Sequence, residues 1–317
     1  MNIRQPNILV YSPNQAEEYA NCIRKKGFFS VMVATTRDEA ENLLFGTEVI
    51  LGWKFPTELL SLSAAASVKW YQSTGAGVDD LVADSSIPDH LILTRIVDQF
   101  GGNISEYVFT YLLYLVKDVA RISQAQLEHR WDPFIADSLA GKTIGVAGMG
   151  SIGTEIVRKA RAFEMKVFGL SKSGVNSEIV DKHFFSDQWP EFVKDLDYLV
   201  LTLPLTMSTY HIVNRELLLS MKPGAIIVNV GRGALMNEND LVTVLKTGHL
   251  GAAVLDVFET EPLPVEHPLY SIPNVYITPH LSGPSTADGV CDFFAENLNR
   301  YMAGQPLAGV VDWKRGY

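Results

Sequence analysis

The sequence has few cysteines and few basic residues. Only Cys22 and Cys291 occur among its 317 residues, which excludes a multi-cysteine framework and a Cys₄ metal site, and a reducing cytoplasm is the simplest setting. Lys and Arg number 26 against 36 Asp and Glu, so the formal net charge is −10. A chain of this charge is not expected to present a broadly basic face to nucleic acid or to anionic lipid.

Long hydrophobic runs and targeting patterns are also missing. The longest near-apolar stretch covers the 10 residues 107–116, whereas a membrane-spanning helix needs about 20. The first six residues lack the apolar core of a signal peptide. No metal site is expected either, since His183, His211, His249 and His267 show no H-x-x-x-H or paired-cysteine spacing. These features predict a soluble cytoplasmic protein.

What is present is an alternation of short apolar strands with helical patterns, which is typical of parallel α/β proteins. We predict strands at 8–11, 31–34, 49–51, 70–72, 91–94, 143–147, 166–170, 198–203, 225–229, 252–255 and 275–278, and early helices at 13–26 and 37–45. Two sets of five or more strands, in a chain of this length, indicate two doubly wound domains.

One long helical pattern, at 105–130, separates the two sets of strands. It carries two apolar stripes at three- and four-residue spacing. The stripes consist of Val108, Tyr111, Leu112, Leu115, Val119 and Ile122, and of Phe109, Leu113, Val116 and Ala120. Such a helix is buried on both sides. The other domain or a second subunit could cover it, and burial inside one subunit is the alternative. A final helix at 286–302 could return the chain to the first domain.

A glycine-rich turn follows the predicted strand at 143–147. Gly148, Gly150 and Gly153 fit the G-x-G-x-x-G pattern, and a helix and a second strand complete the expected βαβ unit. In such a unit the phosphates of a dinucleotide lie at the helix N-terminus. A glycine turn that only packs a helix on a sheet is the alternative. The expected dinucleotide contacts here are Gly148, Met149, Gly150, Ser151, Ile152 and Gly153.

The end of the second strand of this unit bears on which dinucleotide binds. An acidic residue there would accept hydrogen bonds from the ribose 2′-hydroxyl and repel a 2′-phosphate. This sequence instead has Ser171, Lys172 and Ser173, which suit a phosphate dianion. We therefore expect NADP to be preferred over NAD, with Ser171 and Lys172 at the 2′-phosphate. The alternative is an exposed turn lysine without a role.

Three further segments place reactive side chains after predicted strands, where open α/β sheets bind ligands. Arg232 lies between two glycines and suits bidentate binding of a carboxylate. Glu261 lies in an acidic loop beside prolines, and His280 follows the last predicted strand. Taken alone, the three residues are also compatible with a surface arginine, a solvated acidic turn and a hydrogen-bonded core histidine, respectively.

Together and in this order, the motifs resemble those of the D-isomer-specific 2-hydroxyacid dehydrogenases over nearly the whole chain. The motifs are STGAGVD at 73–79, SEYV at 105–108, LAGKTIGVAGMGSIG at 139–153, LPLT at 203–206, VNVGRGAL at 228–235, LDVFETEPLP at 255–264 and TPHLSG at 278–283. The resemblance implies an α/β fold of two doubly wound parallel-sheet domains. A Rossmann cofactor domain, 100–283, is inserted in a flavodoxin-like substrate domain, 1–99 and 284–317.

The resemblance also implies roles for individual residues, with Arg232, Glu261 and His280 as the catalytic set. Reduction of a 2-keto acid adds a hydride to the carbonyl carbon and a proton to the oxygen. A His280 imidazolium can donate that proton, Glu261 can stabilise the imidazolium, and Arg232 can neutralise the substrate carboxylate. The implied substrate contacts are Trp53, Gly75, Ala76, Gly77, Arg232 and His280. The further implied cofactor contacts are Leu203, Pro204, Thr206, Val230, Gly231, Arg232, Asp256 and His280.

Trp53 and residues 97–101 resemble the glyoxylate/hydroxypyruvate reductase branch of the family, although core packing would also explain a tryptophan. The leading prediction is therefore an NADP-preferring reductase of small 2-keto acids. One alternative is a biosynthetic phosphoglycerate-type dehydrogenase, although the chain ends at Tyr317 without room for an appended regulatory domain. The other is a dinucleotide-sensing scaffold without catalysis. The family implies a homodimer formed through residues 105–135.

Overall fold

Residues 4–88 and 90–316 are described by a computed structural model, in which the chain forms two units. The first unit consists of Met1–Gln99 and Ser285–Tyr317, and the second of Phe100–Pro284. The second unit is thus an insertion in the sequence of the first. Pro284, expected in the first domain, groups with the second unit. The assignment of one unit to substrate and the other to cofactor stays a prediction.

The described part of the first unit contains a parallel sheet of five strands. These are β1 (Ile8–Tyr11), β2 (Val31–Ala34), β3 (Val49–Gly52), β4 (Trp70–Ser73) and β5 (Ile92–Thr94), and the early helices are α1 (Ala16–Lys25), α2 (Arg37–Leu43) and α3 (Asp79–Ala83). The strand order is β2-β1-β3-β4-β5, which is the flavodoxin-like order. Thr36 caps α2 through a capping box with Glu39, as the sequence pattern favours.

The second unit contains, among its described residues, a parallel sheet of seven strands. These are β6 (Thr143–Ala147), β7 (Lys166–Leu170), β8 (Lys182–Phe184), β9 (Tyr198–Leu201), β10 (Ile226–Asn229), β11 (Ala252–Leu255) and β12 (Val275–Ile277). Its helices are α4 (Gly101–Val116), α5 (Val119–Leu127), α6 (Ser151–Ala162), α7 (Trp189–Val193), α8 (Arg215–Ser220) and α9 (Glu238–Lys246). The order β12-β11-β10-β9-β6-β7-β8 is the Rossmann order extended by β12.

The central strands of the second sheet are almost entirely apolar because helices cover both faces of a parallel sheet. All four residues of β9 and all four of β11 are buried. In the register, Asn229 at the end of β10 pairs with Leu201 of β9 and with Leu255 of β11. These three strands therefore end level with one another, and the loops that follow them leave the sheet side by side.

The structure corrects the predicted long helix at 105–130. The helical segment begins earlier, at Gly101, and is divided into α4 and α5, because Asp118 takes a left-handed conformation with φ 50° and accepts the Arg121 N–H as the cap of α5. The prediction of continuous apolar stripes along one helix is therefore wrong beyond Val116. Much of α4 is buried in its own unit, whereas Ile122 is 47% exposed.

The remaining differences concern strand ends and one strand that was not predicted. The predicted strands at 198–203 and 275–278 end at Leu201 and Ile277 instead. β8 was not predicted, because its sequence Lys182-His183-Phe184 is too short for an alternating pattern to stand out. It pairs with β7 at the edge of the sheet.

The last helix, α10 (Ala287–Met302), returns the chain to the first unit as predicted, and it begins after Thr286, which caps it. A buried polar network fixes it there. Asn297 Nδ2 lies 3.2 Å from Gln72 Oε1 of β4 and donates to the Ala308 carbonyl at 3.0 Å. Because a buried amide without a hydrogen-bond partner destabilises the folded state, this network favours one position of α10 against β4. No helix in the described residues has the length and apolarity required to cross a membrane.

Candidate active site

The glycine-rich turn between β6 and α6 has the geometry of a phosphate-binding turn. Gly148 has φ +107°, and a Cβ there would lie 2.6 Å from Thr202 Oγ1. A Cβ on Gly153 would lie 1.8 Å from the Gly148 carbonyl oxygen, whereas no heavy atom lies within 4 Å of that position on Gly150. α6 begins at Ser151 without a side-chain cap. Uncapped N–H groups beside open space fit a pyrophosphate.

Met149 and Ile152 contribute differently to this turn. Met149 is buried, so its side chain belongs to the core and its backbone is the part that can face a ligand. Its carbonyl oxygen accepts a hydrogen bond from Asn176 Nδ2 at 2.9 Å. Ile152 is half-buried in the first turn of α6. The contact of Asn176 ties the loop after β7 to the glycine-rich turn.

The loop after β7 carries the three residues predicted for the 2′-phosphate. Ser171 is buried, and its Oγ lies 2.8 Å from His183 Nε2 and accepts the Gly174 N–H at 3.2 Å. The hydrogen bonds of this hydroxyl therefore stabilise the turn itself. Lys172 and Ser173 are exposed. Lys172 is therefore the cation that this loop, residues 171–181, presents to solvent.

The loops after β9 and β10 carry five further predicted cofactor residues. These are Leu203, Pro204, Thr206, Val230 and Gly231. The two loops are adjacent, because a Cβ on Gly231 would lie 3.0 Å from the Leu203 carbonyl oxygen. The first loop is folded on itself: Thr209 Oγ1 donates to the Pro204 carbonyl and accepts the Thr206 N–H, both at 2.8 Å. The sheet thus gathers these residues at its carboxyl edge.

Arg232 is presented by a turn that a buried asparagine shapes. Asn229 at the end of β10 is fully buried. Its Nδ2 donates to the Arg232 carbonyl at 2.8 Å, and its Oδ1 accepts the Gly231 N–H at 3.1 Å. Arg232 Nη1 donates to the Gly231 carbonyl at 2.8 Å. The guanidinium is therefore held at the carboxyl end of the sheet, half-buried.

Glu261 and His280, from the loops after β11 and β12, form a direct pair. Nδ1 of His280 lies 2.9 Å from Oε2 of Glu261, while Oε1 of Glu261 accepts the Phe258 N–H at 3.0 Å. The His280 side chain is 52% exposed. Because a carboxylate is only an acceptor, the proton lies on Nδ1 of the neutral imidazole. Nε2 is then the ring nitrogen that does not face Glu261.

Asp256 holds the loop that carries His280. Its side chain is completely buried. Oδ1 accepts the Thr278 hydroxyl at 2.6 Å and the Leu281 N–H at 2.9 Å, and Oδ2 accepts the Ser282 N–H at 2.9 Å. Since Thr278 donates to Asp256, the Tyr107 hydroxyl, 2.7 Å away, donates to Thr278. The structure shows a positioning role for Asp256, and its contact with the cofactor stays a prediction.

The predicted substrate residues of the first unit lie in one place on that unit. Trp53 covers the loop after β4, since a Cβ on Gly75 would lie 2.7 Å from Trp53 Cζ3. The indole is 43% exposed, so the alternative of plain core packing is wrong. The Gly75 N–H donates to Ser73 Oγ at 3.3 Å. Of the predicted N–H groups of the loop, those of Ala76 and Gly77 are therefore the better candidates for a carboxylate.

Sequence reasoning missed several residues that shape these sites. Asn229 and Thr278 are polar residues at the ends of apolar strands, and that position could have identified them. Tyr107 lies in the SEYV motif at 105–108, but no role was predicted for it. No sequence signal pointed to His183, because a histidine in an unpredicted strand looks unremarkable. Among the described residues, no group of three or more His, Cys, Asp or Glu is placed to hold a metal ion.

Comparison with protein-family models gives a match over residues 109–282, to the model described as D-isomer specific 2-hydroxyacid dehydrogenase, NAD binding domain. Among curated proteins, a glyoxylate/hydroxypyruvate reductase A from Serratia proteamaculans is 33% identical over 84% of this chain and 87% of its own length. The resemblance expected from the motifs is confirmed.

Solved structures match nearly the whole chain. A D-isomer specific 2-hydroxyacid dehydrogenase from Xanthobacter autotrophicus in complex with NADPH and MES has a TM-score of 0.91 and 30% identity, covering 99% of this chain and 100% of that one. An NADPH-dependent glyoxylate/hydroxypyruvate reductase from Sinorhizobium meliloti, in complex with NADP and sulfate, has a TM-score of 0.89 and 30% identity, covering 98% and 100%. The predicted fold class of two parallel-sheet α/β domains is confirmed.

Proposed function

Because this chain belongs to the D-isomer specific 2-hydroxyacid dehydrogenase family, we propose that it reduces small 2-keto acids of the glyoxylate/hydroxypyruvate type to D-2-hydroxy acids, and catalyses the reverse oxidation. As a family member it is an NAD(P)-dependent dehydrogenase. The observation that carries the proposal is the His280–Glu261 pair, with Nδ1 and Oε2 2.9 Å apart at the carboxyl edge of the sheet.

Arg232, Glu261 and His280 divide the work of the reaction. Bound NADPH supplies the hydride that adds to the carbonyl carbon. His280 gives the carbonyl oxygen a proton from Nε2 and takes it back in the reverse direction. The carboxylate of Glu261 stabilises the imidazolium through Nδ1, and Arg232 neutralises the substrate carboxylate and polarises the carbonyl.

NADP is the proposed cofactor, with NAD as a weaker second. The glycine-rich turn from Gly148 to Gly153 would hold the pyrophosphate. Lys172, exposed after β7, would attract the 2′-phosphate, with Ser173 beside it and Ser171 supporting the turn. The two solved structures described above contain NADPH and NADP, which supports this choice.

The first unit would contribute the selectivity for the 2-keto acid. Ala76 and Gly77 would present N–H groups to the substrate carboxylate, because small residues let a ligand approach the main chain. Trp53 would bound the space for the substrate side chain with its exposed indole face.

A homodimer formed through residues 105–135 completes the proposal. Leu127, Trp131 and Ile135 are 77%, 95% and 100% exposed in the single chain. Large apolar side chains clustered at the surface mark interaction sites, and a second copy of the chain would cover them. A cytoplasmic location stays a prediction.

A panel of 2-keto acids assayed with NADPH and with NADH tests the proposed function. We expect loss of NADPH absorbance with glyoxylate or hydroxypyruvate, a lower kcat/KM with NADH, and a D-configured product from hydroxypyruvate. A much higher kcat/KM with phosphohydroxypyruvate would instead favour the phosphoglycerate-type alternative. NADPH binding without turnover of any keto acid would overturn the enzymatic proposal and favour the scaffold.

A further inference from the structure

The loops that carry Arg232 and Glu261 touch through their backbones at Gly233. A Cβ on Gly233 would lie 1.8 Å from the Phe258 carbonyl carbon and 2.3 Å from the Glu259 nitrogen. Contacts of this length are impossible for any side chain, so only glycine fits. The loop after β10 and the loop after β11 are therefore packed main chain against main chain, directly beside two of the three catalytic residues.

Two glutamates bridge this contact from opposite sides. Oε1 of Glu238 accepts the Glu259 N–H at 2.7 Å, and Oε1 of Glu259 accepts the Glu238 N–H at 3.1 Å. Each side chain thus binds the main chain of the other residue. A carboxylate that accepts a backbone N–H forms a stronger hydrogen bond than a neutral acceptor, and this reciprocal arrangement joins the two loops at one point.

Glu238 is an unusual residue for such a place, because it is only 8% exposed. Burial raises the pKa of its carboxyl, and two histidines face the pair, one at each glutamate. His267 Nε2 lies 3.3 Å from Glu238 Oε2, and His211 Nε2 lies 3.2 Å from Glu259 Oε1. His267 Nδ1 accepts the Leu269 N–H, so its proton is on Nε2 and points to Glu238.

The same short segment also holds the catalytic glutamate. Phe258 and Glu259 present consecutive N–H groups, of which the first donates to Glu261 Oε1 at 3.0 Å and the second to Glu238 Oε1 at 2.7 Å. When Glu238 holds the Glu259 N–H, it therefore also fixes the neighbouring Phe258 N–H, which orients Glu261. The other oxygen of Glu261 is then left to face His280.

We propose that Glu238 is a positioning residue of the active site, with Glu259 as its counterpart. Glu238 holds the backbone at 258–259 so that Glu261 stays in hydrogen-bonding range of His280 and the Arg232 loop stays against it. The inference rests on the proposed function, because alignment of these three residues matters only for that reaction. Displacement of a catalytic group by about 1 Å can cost on the order of 100-fold in rate.

The first experiment compares Glu238→Ala, Glu238→Gln and the control Glu266→Ala, which removes an exposed carboxylate of the loop after β11. We expect Glu238→Ala to lower kcat by about 10- to 100-fold while the NADPH dissociation constant changes by less than about 2-fold. Glu238→Gln keeps a carbonyl acceptor for the Glu259 N–H and should recover most of kcat. Equal kcat in folded Glu238→Ala and wild type would overturn the proposal.

The second experiment asks whether Glu238 acts through Glu261. In a Glu261→Gln background, Glu238→Ala should lower kcat by no more than about 3-fold, because the group that it orients has already lost its charge. A merely structural role would instead give the same fold loss in both backgrounds, and that result would contradict the inference.

Amide hydrogen exchange gives a readout that does not need turnover. Glu238→Ala should accelerate exchange at 258–259 by about 10-fold or more, whereas Glu266→Ala should leave it unchanged. If the wild-type protein reduces no 2-keto acid, the proposed function fails, but the exchange rates still decide whether Glu238 holds this segment. Unchanged exchange in Glu238→Ala would refute the positioning role by itself.

Discussion

Nδ1 of His280 lies 2.9 Å from Oε2 of Glu261, although the two residues come from different loops. The contact orients the imidazole ring and directs Nε2 away from the carboxylate. In the proposed reaction, this contact assigns the proton exchange to Nε2 and the support of the ring's charge to Glu261, so it provides the most direct prediction about catalysis.

His280→Ala should reduce kcat by a factor on the order of 10²–10⁴, the usual contribution of a general acid. NADPH binding, measured by fluorescence titration, should change by less than about 3-fold. Glu261→Gln keeps a hydrogen-bond acceptor but loses the charge that stabilises the imidazolium, so its kcat should fall less than that of His280→Ala. Turnover by His280→Ala at the wild-type rate would refute the assignment of the acid.

Asp256→Asn should destabilise the second unit and slow catalysis. The carboxylate accepts three hydrogen bonds, from Thr278, Leu281 and Ser282, and an amide would turn an NH₂ group toward at least one of these donors. A buried unsatisfied donor costs about 1–3 kcal/mol. Urea denaturation should detect this loss in the free energy of unfolding, and Asp195→Asn, at an exposed site, should show none.

Lys172→Ala should weaken the preference for NADPH. An exposed lysine that attracts a 2′-phosphate favours NADPH and contributes little to NADH binding. We expect kcat/KM for NADPH to fall by roughly 10-fold, about 1.4 kcal/mol, with NADH nearly unaffected. Lys182→Ala, on the neighbouring strand, is the control for a general loss of positive charge. An unchanged ratio of the two kcat/KM values would remove Lys172 from the cofactor site.

His183 should make stability depend on pH. Burial lowers the pKa of His183, so the folded protein binds fewer protons at this site than the unfolded chain. The stability that it contributes is complete above the ordinary histidine pKa of about 6.5 and is lost as the pH falls toward the lowered value. His183→Gln should therefore lose less Tm between about pH 7.5 and 5.5 than the wild type.

The matched control for that measurement is His90→Gln, at an exposed histidine of the first unit. It should leave the decrease in Tm as large as in the wild type. An equal decrease in Tm in wild type and His183→Gln would show that burial of His183 has no effect on stability over this range.

The apolar surface of α5 and the segment after it should govern assembly. Leu127→Glu combined with Ile135→Glu places two charges where the proposed homodimer would bury them, and a buried unpaired charge costs several kcal/mol. Sedimentation should find the wild type as a dimer and this variant as a monomer. Phe45→Glu, at an apolar side chain 87% exposed elsewhere, should stay dimeric. A monomeric wild type would contradict the proposal.

The sequence by itself was sufficient to predict the two parallel sheets and the residue types of the site. Strands that are buried on both faces have continuous apolar sequences, as in β9 and β11. Glycine is required at 148 and 153 by a left-handed φ and a backbone contact, so the turn can be read from its spacing. Reactive side chains directly after strands could be located in the same way.

Only the tertiary structure decided which atoms meet. The break at Asp118 depends on a left-handed conformation, which is rare outside glycine, at a residue whose side chain accepts the Arg121 N–H and so begins α5. The Glu238–Glu259 bridge joins residues 21 positions apart, and no periodicity records it. The contacts by which Asp256 holds the His280 loop also arise from packing between loops rather than from the order of residues along one of them.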